Sequence, residues 1–102
     1  SLLAITLGQR NTAIRSGALD NAYDVDDNVA IGKGAMGGSI LAEIVDDCVA
    51  VGMNALSGDL CSTDGLDEAS GTVAIGTSAL AGLTAGGGNT AVGFQAGISM
   101  TI

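Results

Sequence analysis

Asn28-Val29-Ala30-Ile31-Gly32-Lys33-Gly34-Ala35-Met36 is the stretch that decides the fold, because variants of it recur four more times along the chain. Residues 11–19 read Asn-Thr-Ala-Ile-Arg-Ser-Gly-Ala-Leu and residues 48–56 read Cys-Val-Ala-Val-Gly-Met-Asn-Ala-Leu. Residues 72–80 read Thr-Val-Ala-Ile-Gly-Thr-Ser-Ala-Leu and residues 89–97 read Asn-Thr-Ala-Val-Gly-Phe-Gln-Ala-Gly. The shared pattern is a polar residue, Val or Thr, Ala, Ile or Val, Gly, two free positions, Ala, and usually Leu or Met.

The first alanines of the blocks stand at 13, 30, 50, 74 and 91, so the repeat advances by 17, 20, 24 and 17 residues. Inside every block the step to the second alanine is five. A constant interior with spacers of unequal length is the signature of a solenoid with regular rungs and variable connectors. Charge is distributed in the same way. All eleven acids fall outside the blocks, in the connectors, whereas residues 69–102 carry no charge and therefore read as surface covered by another chain or domain.

Within a block, the period of two in an extended chain puts Val29 and Ile31 on one side and Ala30 on the other. β-Branched residues suit a pleated surface, and a glycine beside them in nearly every block argues against helix. The bulky set, Ile14, Ile31, Val51, Ile75 and Val92, is expected to fill the coil interior, with Thr12 and Thr90 near its edge. The set that never exceeds alanine, Ala13, Ala30, Ala50, Ala74 and Ala91, is expected to meet a close neighbour. Gly32, Gly52, Gly76 and Gly93 are expected at a bend that needs positive φ or no Cβ. Arg15 holds that place in the first block, which reads as irregular or terminal. Residues 39–45 form a short apolar run compatible with either helix or strand.

The blocks resemble the Ala-Ile-Gly repeats of bacteriophage tail fibres and of the heads of trimeric autotransporter adhesins, most closely at residues 72–80 and 89–97. The resemblance implies a parallel β-roll assembled as a homotrimer, with small residues where three chains meet, and so gives the five alanines a trimer-facing role. The unequal connectors and the lack of a visible coiled-coil stalk or membrane anchor favour the phage side, on a tail or a capsid.

Composition restricts the remaining chemistry. The 102 residues allow one repeat domain, and 17 Gly with no Trp, one Tyr and one Phe is thin material for an isolated core. The start at Ser1, without a basic leader region, reads as a piece of a longer fibre chain or as a processed product. A net charge of −8 disfavours nucleic acid and anionic membrane, and no apolar run reaches the length of a membrane helix. There is no histidine, so Ser/His and Cys/His nucleophile pairs are impossible and the rival reading, a hexapeptide-coil acyltransferase, lacks its general base. Asp24-Val25-Asp26-Asp27-Asn28 is rich in oxygen ligands but lacks the glycine and terminal glutamate of an EF-hand loop, and reads as a solvated corner. Cys48 and Cys61 read as small apolar residues more readily than as a disulfide.

The sequence therefore predicts an all-β parallel β-roll or β-solenoid of about five rungs with variable acidic loops, forming an obligate homotrimer. Its expected role is non-enzymatic and needs no cofactor or metal: a structural segment of a virion fibre that spaces or presents a host-recognition element. Expected partners are its own copies, other fibre or virion proteins and a host surface receptor. The adhesin head on a bacterial surface is the alternative.

Overall fold

The computed structural model describes residues 8–20, 25–38, 45–60, 69–84 and 86–101. They contain five three-residue strands: β1 (Thr12–Ile14), β2 (Val29–Ile31), β3 (Val49–Val51), β4 (Val73–Ile75) and β5 (Thr90–Val92). No helix occurs among the described residues. The strands form one parallel sheet in chain order, so the chain is a β-solenoid. Register follows the blocks residue for residue, placing Ala13, Ala30, Ala50, Ala74 and Ala91 in one column. The connectors differ in length without disturbing that alignment. Of the run whose helical or extended character the sequence left open, residues 39–44 lie outside the described residues.

Left-handed corners recur at matching positions of successive rungs. Gly32, Gly52, Gly76 and Gly93 follow their strands directly and have φ between +127° and +131°. A Cβ on Gly32 would stand 2.6 Å from the Gly52 carbonyl oxygen of the next rung, so both φ and the close stacking require glycine. Arg15 occupies this place in the first rung with φ +91°. A second corner recurs before the strands, where Arg10, Asp27 and Asp47 have φ of 56°, 57° and 58°. A third falls on Leu19, Met36, Leu56 and Leu80, with φ between 49° and 53°.

A left-handed leucine costs roughly 1–2 kcal/mol, and here the stack supplies the compensation. The Leu19 amide donates to the Ala35 carbonyl at 2.9 Å, Met36 to Ala55 at 2.9 Å, Leu56 to Ala79 at 2.8 Å and Leu80 to Ala96 at 2.9 Å. All four side chains are fully buried.

The core corrects the sequence-based assignment of faces. Ala30, Ala50 and Ala74 are wholly buried inside the coil and belong to the hydrophobic core, with Ala13 and Ala91 packed against it. They do not face a trimer partner. Ile14, Ile31, Val51, Ile75 and Val92 do not fill the interior; Ile14, Ile75 and Val92 are 49%, 37% and 66% exposed, and Ile31 and Val51 are partly exposed. The bulk inside comes from elsewhere: the block ends Leu19, Met36, Leu56 and Leu80, the connector residues Val25, Val45, Leu60 and Leu83, and the second alanines Ala18, Ala35, Ala55 and Ala79. In a thin coil filled from its other walls, the strand wall has room only for a methyl group.

Candidate functional site

Reversal of the faces creates the most distinctive surface of the described chain. The outward side of the sheet carries two parallel columns, Thr12-Val29-Val49-Val73-Thr90 and Ile14-Ile31-Val51-Ile75-Val92, held in register by strand pairing. Every residue in both is β-branched, with one preferred rotamer set and no charge. Successive members lie about 4.8 Å apart, the spacing of paired strands. Thr12 and Thr90, at the two ends, are exposed, as water-facing positions allow.

The two borders of this face differ in charge. On the border that precedes the strands, Asp27 and Asp47 are exposed. Arg10, on the same border one rung before Asp27, grips it with two hydrogen bonds, Nε to Oδ1 at 2.6 Å and Nη2 to Oδ2 at 2.9 Å. That hydrogen bond holds the Asp27 carboxyl below the usual carboxylate range and pushes the Arg10 guanidinium further up. On the border that follows the strands stand Arg15 and Lys33, both exposed, with Met53 and the 74% exposed Phe94 further along the stack.

Beneath the first border runs a buried polar seam that fixes the rungs. Asn11 Oδ1 accepts the Asn28 amide at 3.0 Å, and Asn28 Oδ1 accepts the Cys48 amide at 2.9 Å. Their Nδ2 groups donate one rung on, to the Val25 carbonyl at 2.6 Å and the Val45 carbonyl at 2.8 Å. Cys48, a free buried thiol, continues the seam by donating to the Ala69 carbonyl at 3.2 Å, in the place the asparagine amides occupy. Burial pushes its pKa up, which makes it a poor nucleophile. Cys61 lies outside the described residues.

The acidic corner is engaged within the chain. Asp26 Oδ1 accepts the Gln9 amide at 2.6 Å and Asp46 Oδ1 accepts the Asp26 amide at 2.7 Å, each carboxylate capping the rung before it. Among the described residues no group of three or more His, Cys, Asp or Glu is placed to hold a metal ion. Asp24 lies outside them. No helix among the described residues is long and apolar enough to cross a membrane.

Sequence reasoning found the two columns, the alanine column and the bend glycines, but put the first two on the wrong sides. The seam of Asn11, Asn28 and Cys48 was missed as a bridge between rungs. Its signal was the polar residue that opens four of the five blocks. Comparison of the chain with protein-family models, with curated proteins and with solved structures gives no match.

Proposed function

We propose that this chain is a structural segment of a homotrimeric virion fibre, in which copies meet through the outward β-branched face and the shaft spaces or presents a host-recognition element. The observation that carries the reading is that face: ten in-register Val, Ile and Thr side chains, uncharged and partly or fully exposed, on a chain with a net charge of −8. Contiguous apolar surface of this kind marks an interface. Covering each Val or Ile would contribute up to the roughly 1.5–3 kcal/mol of a full side-chain burial, less what is already buried.

The charges at the borders support copies arranged side by side around an axis parallel to the stack. In such a ring the border with Arg10, Asp27 and Asp47, negative by one charge once Arg10 has paired with Asp27, approaches the neighbour's border with Arg15 and Lys33, whereas antiparallel copies would bring like borders together. The number three comes from the resemblance of the blocks to phage-fibre repeats. The acidic corners then stay in water and keep an apolar assembly soluble.

The reading assigns the chain no catalytic step. The sequence contains no histidine, and the described thiol is buried and hydrogen-bonded within the seam. Other fibre or virion proteins and a host receptor are its proposed partners, and the virion its proposed location. Sedimentation equilibrium of the wild-type chain beside Ile31→Lys tests the reading. A trimer that the lysine converts to a folded monomer is expected; a wild-type monomer, or a trimer indifferent to Ile31→Lys, would exclude this face as the interface.

A further inference from the structure

Two exposed charges of opposite sign, Asp47 and Lys33, border the outward face without an ion partner among the described residues. Asp47 stands on the border that precedes the strands. There Arg10 is committed to Asp27 through Nε and Nη2, so Asp47 is the charge left uncompensated. Lys33 stands on the border that follows the strands. Within one chain the three-residue strands, roughly 10 Å long, lie between the two borders.

Backbone hydrogen bonds fix the heights of both positions. The Asn54 amide donates to the Lys33 carbonyl at 2.9 Å and the Ser78 amide to the Met53 carbonyl at 2.8 Å, so Met53 lies one rung above Lys33. On the other border the Asp47 amide donates to Asp26 at 3.2 Å and the Gly71 amide to Asp46 at 3.0 Å, so Gly71 lies one rung above Asp47. Lys33 belongs to the β2 rung and Asp47 to the β3 rung. When level copies stand side by side, Lys33 of one is therefore a single rung, about 4.8 Å, below Asp47 of the next, an offset that a flexible four-carbon stem spans. Arg15, on the β1 rung, is two rungs below.

One rung higher, the same offset brings together Met53 and Gly71. Met53 is 48% exposed. A Cβ on Gly71 would meet nothing closer than the Gly88 nitrogen at 4.0 Å, so the surface beside it has room for an incoming side chain. The two borders thus match in charge at one level and in shape at the next, with one displacement serving both.

We infer that Lys33 of each copy forms an ion pair with Asp47 of the next copy around the ring, with Met53 seated beside Gly71 one rung above. The pair presupposes the side-by-side trimer proposed above and gives it orientation and register. Antiparallel copies would set Lys33 against a border of its own kind, and copies out of level would separate the charges. An exposed pair of this type contributes modestly by itself, but the ring repeats it at every junction.

A charge-reversal cycle tests the pair. Asp47 has φ +58°, and Arg10 occupies the same column at φ +56°, so Asp47→Arg suits the backbone. Sedimentation equilibrium should show trimer association weakened roughly tenfold or more by Lys33→Glu and by Asp47→Arg, because every junction changes at once. The double variant, with the pair restored in reverse, should regain most of that loss. A wild-type trimer in which the two losses add would overturn the pair while leaving the β-branched face as the interface; a wild-type monomer would overturn both. If either reversal loses its far-UV β signature, the same cycle with Lys33→Gln and Asp47→Asn decides, coupled losses supporting the pair and additive losses overturning it.

Discussion

The Asn28 side chain holds the Cys48 backbone: Oδ1 accepts the Cys48 amide at 2.9 Å from a wholly buried position one rung away. With Nδ2 bound to the Val45 carbonyl at 2.8 Å, one amide group satisfies two backbone groups that the coil has removed from water. Asn28→Ala should therefore lower unfolding stability by about 1–3 kcal/mol, read as a shift in the urea midpoint. An unchanged midpoint would mean that the seam contributes no stability.

Thr72 is the weak member of the same seam, since its buried Oγ1 has no hydrogen-bond partner. An asparagine there could accept the Asn89 amide as Asn28 accepts that of Cys48. Thr72→Asn should raise stability by about 1 kcal/mol, and a loss would show that the fourth rung lacks space for the longer side chain.

Burial raises the Cys48 thiol pKa above its ordinary 9.0. The folded chain thus holds this proton more tightly than the unfolded chain. Its contribution is complete below pH 9.0 and is lost as pH rises above that value, where the unfolded thiol ionises first. Unfolding midpoints measured from pH 7 to pH 10 should fall at the alkaline end for the wild type and fall less for Cys48→Ala.

Ala50 has no exposed surface and lies in the core, so a larger residue must displace its neighbours. Ala50→Leu should cost about 1–3 kcal/mol of folding stability through overpacking, and the cost should persist where the chain is monomeric. A stable fold with altered assembly alone would return the alanines to the interface.

The repeat, the strands and their register were legible because each rests on a local rule: Val-Ala-Ile is extended, glycine ends it, and identical blocks stack in register. The facing of the strands was not. Alternation separates Ala30 from Ile31 but is symmetric between inside and outside, and the larger residues were placed inward by the ordinary habit of cores. Two signals pointed the other way. Leu or Met closes four of the five blocks and supplies the interior bulk, and Thr replaces Val at Thr12 and Thr90, both exposed. The seam was illegible because an asparagine opening a rung looks like any turn residue until the next rung is placed beside it.

Native mass spectrometry of the wild-type chain tests the central claim most directly, because it counts the copies in the smallest stable assembly. The account predicts a smallest stable assembly of three times the 9.8 kDa chain mass, falling to a single chain in Ile31→Lys. A wild-type chain that is monomeric or dimeric under those conditions would contradict it.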